Sequence, residues 1–570
     1  MSFTRMLGAL ALFPVAALAQ QALPLKHTPS PTTAAITAAD LMTRLYIFAD
    51  DSMMGRQTGT PGHLKATVYI EAQVRRLGLK PAGDNGGFFQ NVPVAQRWMD
   101  ASSTITVGGT TLAYGKDFAA GGGRGEPRPI DGAEVIFGGP QGDTANPLTA
   151  EQVRGKLVVM TAPAGGGRGG RFGAFGGRGG GAAAALAEAA GIATVVGEQL
   201  PPQLAVTGRP RPGQGMTFLG ALTPAPSVAM TLSITAKAAE ALLGVPVSQA
   251  TKGMAGRTIK AALKMDEAPV PARNVVGILQ GSDPKLKGEY VAIGAHNDHI
   301  GMRAGTPVDH DSLHLYNEAR YAITGMLSRG QQPSPEQMEA VRNIHINLDS
   351  VRKLRPVRLD SISNGADDDG SGTVTVLEIA ERFAKLPKAQ RPKRSLLFVW
   401  HVGEENGLWG SQYVTDHPPV PRDSIVAQLN MDMVGRGEKS DLPVGGPDYL
   451  QLVGSRRLST ELGDLMETVN KAQKMPFRFD YQFDANGHPE NIYCRSDHYN
   501  YARYGIPVVF ATTGLHGDYH QVTDEPQYIA YDHMARVGNL MYDMAVRVAD
   551  LDHRPLVDKP KPDPKGRCQQ

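Results

Sequence analysis

The C-terminal half of the chain alternates short apolar runs with amphipathic helical stretches. The runs have the length and composition of buried strands, and they occupy residues 290–294, 396–399, 425–427 and 507–510. A helix is predicted over 373–386, because apolar side chains recur there at helical spacing: Val376, Leu377, Ala380 and Phe383. Apolar strands that alternate with helices indicate an α/β fold, here a mixed β-sheet sandwiched by helices.

The N-terminal half shows two other patterns. Residues 39–79 are predicted to be helical up to Gly78, because apolar side chains recur on one face: Ala66, Ile70, Val74 and Leu77. From about 105 to 263, turn residues separate short apolar runs, of which the clearest are 133–137, 156–160 and 193–196. An alanine-rich helical piece over 182–190 precedes the last run. This second pattern predicts a smaller, β-rich domain.

Composition and charge give no indication that the protein binds nucleic acid. The 570-residue chain carries 58 Lys and Arg against 56 Asp and Glu, so its formal net charge is only +2. Residues 165–181 hold 11 of the 66 glycines and three arginines, a composition found in RNA-binding segments and in flexible surface loops. Because no basic excess accompanies this segment, we interpret it as a surface loop and predict no nucleic-acid partner.

Residues 1–19 are typical of a secretory signal peptide. Arg5 supplies the positive charge, an uncharged apolar run follows, and Ala17-Leu18-Ala19 forms a small-residue cleavage site. The alternative, a short membrane anchor, is less favoured because the run is shorter than the roughly 20 residues that span a bilayer. No later run of that length occurs, so we predict an exported protein, periplasmic or extracellular, with no stable membrane span.

The chain has two cysteines, Cys494 and Cys568. So few cysteines exclude a disulfide-rich scaffold and a cysteine-based zinc finger. Cys568 lies in a predicted polar tail over 556–570, and export would permit it to pair with Cys494. The sequence leaves this pairing open.

Residues of metal-ligand type follow the predicted strands of the C-terminal half. In α/β sheets, ligands bind beyond the carboxyl ends of the strands. Each such residue alone is more typical of a surface or a helix cap, but together they form a set of N and O donors that suits zinc when thiolates are absent. The segments that carry them are 295–299, 364–372, 401–407, 430–433 and 517–524.

These segments resemble the co-catalytic zinc aminopeptidase family of peptidase clan MH. The family pattern consists, in chain order, of His-x-Asp, Gly-Ala-Asp-Asp-x-x-Ser-Gly, Glu-Glu-x-Gly-Leu-x-Gly-Ser, Asp and Tyr-His. In this chain the five parts occur, in the same order, at 296–298, 365–372, 404–411, 432 and 519–520. Residues 52–90 look like the N-terminal region of exported bacterial members, and 105–263 like the protease-associated (PA) domain that some members insert. The resemblance implies the zinc exopeptidase fold, with a catalytic domain formed by 20–104 and 264–555 around that insertion.

The resemblance also implies two divalent metal ions, with Zn²⁺ preferred. Asp368 would bridge them. His296 and Asp432 would complete one site, and Glu405 and His520 would complete the other. Two cations held a few ångströms apart need such a shared carboxylate to offset their repulsion.

Three further residues take catalytic roles by the same resemblance. Glu404 would act as general base and acid, next in the chain to a metal ligand. Asp298 would accept a hydrogen bond from the far nitrogen of His296 and fix its tautomer. Tyr519 would donate to the developing oxyanion, a role found in some members only.

Neighbouring residues offer alternatives. His516 could replace His520 as ligand, although His520 matches the Tyr-His pattern better. His299 and His401 flank the motifs without a role in the family scheme, which favours packing near the site. Ser496-Asp497-His498 could suggest a serine nucleophile, but members of a hydrolytic triad normally come from separated positions.

The resulting hypothesis is an exported, metal-dependent aminopeptidase that acts on peptide substrates. A carboxypeptidase or dipeptidase on the same scaffold is the main alternative, since Arg436 or Arg495 could bind a substrate carboxylate. A cyclase is disfavoured because all five ligands of a two-metal site are present. A non-enzymatic receptor is disfavoured for the same reason, since such a protein would be expected to have lost ligands.

An insertion over 302–361, with a helix predicted over 335–349, could serve as a lid, a dimer contact or plain surface. The oligomeric state is left open.

Overall fold

A computed structural model describes residues 23–121, 125–143, 146–162, 181–222, 226–325, 327 and 331–570. The predicted signal peptide and nearly all of the glycine-rich segment lie outside the described residues. Within those ranges, no helix combines the length and the apolar character that crossing a membrane requires.

A nine-stranded mixed sheet forms the centre of the molecule. Its strands in chain order are β1 (Lys80–Pro81), β2 (Phe89–Asn91), β3 (Arg273–Leu279), β4 (Tyr290–His296), β5 (Ser395–His401), β6 (Ile425–Met431), β7 (Tyr449–Val453), β8 (Arg478–Asp480) and β9 (Val508–Thr512). Across the sheet they run β1-β3-β5-β4-β6-β9-β7-β8, and β2 also pairs with β3.

The four middle strands, β5, β4, β6 and β9, are parallel. Antiparallel pairs flank them, β3 against β5 on one side and β7 against β9 on the other. Parallel strands end at the same edge of a sheet, so the segments that follow β4, β5, β6 and β9 meet there.

Helices cover both faces of this sheet. In β4, Val291, Ile293 and Ala295 face one buried cluster, whereas Ala292 faces another. Alternate side chains of a strand point to opposite faces, so a strand that is apolar throughout must be covered twice. The first face carries the helices Ala38–Phe48, Pro61–Arg76, Gly372–Ala384, Thr460–Lys471 and Tyr531–Asp550, and the second carries Trp409–Asp416 and His498–Ala502. The predicted fold class, a mixed sheet sandwiched by helices, is confirmed.

A second sheet of six strands lies within the segment predicted to be β-rich. Its strands are Phe118–Ala120, Glu134–Pro140, Leu157–Thr161, Gly191–Gly197, Met230–Thr235 and Ala255–Thr258. It has its own buried cluster, to which the helix Ala236–Leu243 contributes. Two three-stranded sheets lie beside it: Val94–Met99 with Met216–Phe218 and Met265–Val270, and Thr104–Val107 with Thr110–Ala113 and Lys260–Ala262.

The insertion over 302–361 begins and ends with short antiparallel ladders. Gly301–Met302 pairs with Ile362–Ser363, and Val308–Asp309 with Leu359–Asp360. Between the ladders lie the helices His310–Thr324, Pro335–Arg342 and Asp349–Leu354. The helix predicted over 335–349 therefore ends seven residues early, at Arg342. The first helix escaped prediction because the residues that it buries are largely polar: His310, Asp311, His314 and Asn317.

Cys494 and Cys568 form a disulfide. The bond answers the question that the sequence left open. It ties the polar C-terminal segment to the residue directly before Arg495.

Arg44 anchors the first helix to the helix Gly372–Ala384. Its side chain is 1% exposed and pairs with Glu378 and Glu381, which are buried as well. Burial raises the pKa of Glu378 to about 7 although Arg44 opposes the shift.

Replacement Arg44→Met is expected to lower the free energy of unfolding by about 3–5 kcal/mol, because it leaves the buried carboxylate of Glu378 without its counter-charge. The shift of the urea midpoint measures the effect. Arg75→Met is the matched control, since Arg75 is 66% exposed and its ion pair, with Glu71, is a surface pair within one helix. Equal shifts for the two variants would contradict the prediction.

Candidate metal centre

A cavity opens at the edge of the sheet where the parallel strands end. Its polar wall contains the carboxylates of Asp368, Glu404 and Asp432. Its other walls carry Arg495, Ser496 and Tyr519 together with apolar side chains: Met433, Phe483, Ile492, Phe510 and Leu515. The cavity thus places ionisable groups next to an apolar surface.

The first group of potential ligands consists of His296, Asp368 and Asp432, all buried. His296 ends β4, and its Nε2 lies 3.2 Å from Asp368 Oδ1 and 3.6 Å from Asp432 Oδ1. Asp432 directly follows β6. One donor atom of each residue lies within 4.8 Å of the other two, a spacing at which one cation could contact all three.

The second group consists of His299, Asp368, Glu405 and His520. His520 Nε2 lies 3.0 Å from Asp368 Oδ2 and 3.0 Å from Glu405 Oε2. His299 Nδ1 lies 2.8 Å from Glu405 Oε1 and 3.6 Å from Asp368 Oδ2. Asp368 therefore belongs to both groups, with one carboxylate oxygen towards each.

The turn that carries Asp368 is held by main-chain hydrogen bonds. The carboxylate of Asp524 accepts from the amides of Asp367 and Asp368, at 2.9 Å and 3.0 Å. Gly365 adopts φ +56°, and a Cβ there would lie 2.5 Å from the ring of His299. Glycine is therefore required at this point for the turn to approach the ring.

The other two acids of the turn hold neighbouring segments. Asp367 accepts from the amide of Gly435 at 2.7 Å, and Asp369 accepts from the amide of His296 at 3.0 Å. These bonds fix the ends of β4 and β6 relative to the turn. Of these three acids, it is the middle one, Asp368, whose carboxylate belongs to both groups of potential ligands.

The donor atoms fit divalent cations. Several are buried without a hydrogen-bond partner among the described residues: His296 Nε2, His299 Nδ1, Asp368 Oδ2, Glu405 Oε1 and His520 Nε2. Unpartnered buried polar atoms are costly, and imidazole nitrogens with carboxylate oxygens are the donors that zinc binds when thiolates are absent. The chemistry of the set therefore matches two cations that share Asp368.

The two adjacent glutamates of the site have pKa values that are shifted in opposite directions. Burial raises the pKa of Glu404 well above its ordinary value, and Asp432 and Glu405 add to the shift. For Glu405 burial acts in the same direction, but His520 and His299 outweigh it and lower the pKa to about 2. Opposite shifts in neighbouring acids are typical of a site in which one group binds and the other moves a proton.

Asp298 supports the site through three contacts. Its carboxylate accepts from the Thr58 hydroxyl at 2.8 Å and from the amide of Glu404 at 3.2 Å. The far nitrogen of His296, Nδ1, lies 3.0 Å from the main-chain carbonyl of Asp298 but 3.7 Å from its carboxylate. His296 therefore contacts the expected residue, Asp298, through its main-chain carbonyl and not through its carboxylate. The carboxylate instead accepts hydrogen bonds from Thr58 and Glu404.

Tyr519 and Arg495 lie together in the wall of the cavity. The Tyr519 hydroxyl is 3.5 Å from an Arg495 nitrogen, and Arg495 also pairs with Glu490 at 3.0 Å. Burial raises the pKa of Tyr519 well above its usual value, so the hydroxyl stays protonated. Arg436 instead is buried against Asp441, at 2.8 Å, and is not among the residues that line the cavity.

The alternative residues have other partners. His516 Nε2 lies 3.3 Å from Asp367 rather than Asp368, and His401 lies 3.0 Å from the Tyr501 hydroxyl. Ser496 donates to Asp432 at 2.7 Å, while Asp497 lies 3.3 Å from His401. The Ser-Asp-His sequence therefore does not form a relay among its own members.

Sequence reasoning missed the contribution of the N-terminal segment. Arg56 is fully buried and donates to the carbonyls of Asn364 and Gly365, at 2.5 Å and 2.8 Å, under the acidic turn. His63 contacts Asn297 at 2.9 Å. The resemblance of 52–90 to family members was the only signal for these contacts, and it named no residue.

Comparisons with known proteins find similarities in the C-terminal half of the chain. Residues 332–545 match the family model described as Peptidase family M28. "Leucine aminopeptidase 1" of Pyrenophora tritici-repentis (strain Pt-1C-BFP) is 28% identical over 217 residues, 36% of this chain and 51% of the relative. "Leucine aminopeptidase 1" of Aspergillus fumigatus is 28% identical over 211 residues, 35% of this chain and 50% of the relative. The chain thus spans about half the length of the curated relatives it matches.

Two solved structures are also similar to this chain. An aminopeptidase from Aneurinibacillus sp. strain AM-1 is 17% identical, with 92% of this chain and 97% of that chain covered and a TM-score of 0.47. BSAP, a zinc aminopeptidase from Bacillus subtilis, is 16% identical, with 92% and 99% covered and a TM-score of 0.46.

The matched segment contains most of the candidate site. Asp368, Glu404, Glu405, Asp432 and His520 lie within it, whereas the residues that follow β4 precede it. Residues 332–545, which carry these side chains, are thus similar to peptidase family M28.

Proposed function

We propose that this protein is an exported, metal-dependent aminopeptidase that releases N-terminal residues from peptides with two divalent cations, Zn²⁺ preferred. The observation that carries the proposal is the position of Asp368, shared by two groups of ligands, with Glu404 beside both. Export is supported by the signal-like residues 1–19 and by the Cys494–Cys568 disulfide, which suits an oxidising compartment. The six-stranded sheet suits the proposed inserted PA-like domain.

Five residues would hold the cations: His296 and Asp432 at one site, Glu405 and His520 at the other, and Asp368 between them. When bound, the two ions supply Lewis-acid polarisation of the scissile carbonyl and make water nucleophilic near neutral pH. The remaining chemistry falls to side chains of this chain.

Glu404 takes the proton from the attacking water and returns it to the leaving amine. Its carboxylate lines the cavity next in the chain to the proposed ligand Glu405, a position from which it can accept a proton from water and then donate it. The main-chain amide of Glu404 donates to the Asp298 carboxylate, which fixes the backbone from which the Glu404 side chain extends.

Tyr519 stabilises the charge that develops on the carbonyl oxygen. Its hydroxyl stays protonated and can therefore donate a hydrogen bond, and the adjacent Arg495 adds positive charge. Preformed donors of this kind stabilise an oxyanion without reorganisation at the moment of reaction.

The apolar walls favour an apolar first residue in the substrate. Phe483, Ile492, Phe510 and Leu515 surround the space in front of the carboxylates. Pockets of this composition bind apolar side chains and use a few polar groups to orient the ligand. The relatives named leucine aminopeptidase are consistent with this preference.

A carboxypeptidase is the second candidate, and Arg495 favours it. This guanidinium lines the cavity and could bind a substrate carboxylate. Its pairing with Glu490 makes this candidate the weaker one, because a substrate would have to compete for the cation.

One peptide in four forms separates these reactions. An apolar pentapeptide is prepared free, N-acetylated, C-amidated and with both ends blocked, and its digestion by the Zn²⁺-loaded protein is followed by mass spectrometry. The proposal expects cleavage of the free and amidated forms, one residue at a time from the N-terminus, and none after chelation. Cleavage of the acetylated form from the other end would identify a carboxypeptidase, and unchanged cleavage in chelator would overturn metal dependence.

Thr58→Val tests the support given to Asp298. The variant keeps the shape of the side chain but removes the donor to the Asp298 carboxylate. Loss of such a supporting bond is expected to reduce activity or zinc affinity by about 10- to 100-fold. Initial rates over a range of Zn²⁺ concentrations measure both quantities. Thr106→Val, on the strand Thr104–Val107, is the control, and an equal effect there would contradict a specific role for Thr58.

A further inference from the structure

We infer that His299 is a fourth protein ligand at one of the two cation sites, which makes the two sites chemically unequal. The inference rests on the dinuclear part of the proposed function. It adds a residue that has no role in the family scheme.

The position of the His299 ring supports this assignment. The residue is 1% exposed, and its Nδ1 lies 2.8 Å from Glu405 Oε1 and 3.6 Å from Asp368 Oδ2. Its ring centroid is 5.6 Å from that of His520. Both of its ring nitrogens are buried without a hydrogen-bond partner among the residues that the structure describes. A buried imidazole with a free nitrogen towards two carboxylates is placed as a cation ligand would be.

The main chain of His299 is held by a neighbouring segment. The amide of His299 donates to the carbonyl of Arg56 at 3.3 Å, and His299 forms a β-bridge with Gln57. Gly365 leaves room for the ring, since any Cβ there would lie 2.5 Å from it. Two separate segments, 56–57 and the turn at Gly365, therefore surround His299 where its ring lies against Glu405.

The consequence is a difference in coordination. With His299, the second site offers two imidazoles and two carboxylates, a complete tetrahedral set for zinc. The first site offers His296, Asp368 and Asp432, and so keeps one position for water or substrate. Zinc sites with four protein ligands are typically structural, whereas catalytic sites keep an open position. We therefore expect the ion beside His299 to be retained and the ion beside His296 to exchange.

Another role for His299 must be distinguished. Its Nδ1 could donate a hydrogen bond to Glu405 and only orient that ligand. In that case the imidazole would not contact the cation, and a side chain that still donates, as in His299→Gln, would restore metal binding.

Metal binding is measured first without substrate. Protein freed of metal is titrated with Zn²⁺ against a chromophoric chelator, as wild type, His299→Ala, His299→Gln and the control His533→Asn, whose residue lies outside both groups. The wild type is expected to bind two ions in separate steps. Both His299 variants should lose about 10- to 100-fold in the tighter step, and the control should keep both steps. Unchanged steps in His299→Ala, or rescue by His299→Gln, would overturn the inference.

The Co²⁺ form of the wild type tests the same point without a variant. Each coordinated histidine carries a solvent-exchangeable ring N–H that is strongly shifted in the proton NMR spectrum. Three such signals are expected, from His296, His299 and His520, and two would overturn the inference. A wild type that binds fewer than two ions would instead contradict the proposed function, so the two failures are distinguishable.

Discussion

Replacement Glu404→Gln is expected to lower kcat by about 100- to 10,000-fold while both cations stay bound. Glutamine keeps the size of the side chain but can no longer accept the proton of the attacking water. Glu404 lies beside the two groups of ligands and contributes no atom to either of them among the described residues. Steady-state hydrolysis of an apolar peptide and the metal content of the purified variant measure the two halves of this expectation.

Glu405→Gln is the matched control, one residue further along the chain. Glu405 has an oxygen 3.0 Å from His520 Nε2 and belongs to the second group of ligands. The two variants should therefore differ in metal content: Glu404→Gln keeps its metal and loses the proton transfer, whereas Glu405→Gln loses metal. A Glu404→Gln protein with full activity would remove Glu404 from the mechanism.

Asp368→Asn is expected to have the second large effect, loss of affinity at both sites together. Its carboxylate gives one oxygen to each group, so an uncharged amide removes the shared anion that lets two cations lie close together. Affinity should fall by at least about 100-fold at each site, beyond what loss of a supporting contact costs. Titration with Zn²⁺ measures the number of ions bound and their affinities.

Asp432→Asn provides the comparison for this experiment. Asp432 belongs to the first group only, so this variant should weaken one binding step and leave the other near its original affinity. If Asp368→Asn also weakened a single step, the shared role of Asp368 would be wrong.

The central sheet could be predicted because its middle strands are apolar on both faces. Runs such as 290–294 are stable mainly in a sheet that helices cover on both faces, and in the structure they form β4 to β6 and β9. The helix His310–Thr324 could not be predicted in this way. It buries His310, His314 and Asn317 against polar groups, as in the contact of His314 with Asp518 at 2.8 Å, so hydrophobic periodicity does not mark it.

The site was predictable as far as its motifs are local. Glu404 and Glu405 follow one strand and Asp432 another, so strand order alone brings them to one edge. Contacts between distant segments were not predictable, because no spacing relates Thr58 to Asp298 or Asp524 to Asp367. His299 shows the same limit: its motif neighbours suggested packing, whereas the fold turns its ring towards Glu405.

The ligands lie on five separate segments of the chain, so bound cations would act as cross-links between distant parts of it. Ions that bind only the folded protein stabilise it by about 2.7 kcal/mol at a concentration 100 times their Kd. Resistance to proteolysis should therefore follow metal load. A protein stripped of its ions in a protease-rich medium would be cut within these segments, whereas the loaded protein would survive, so the same ions would set both its activity and its lifetime.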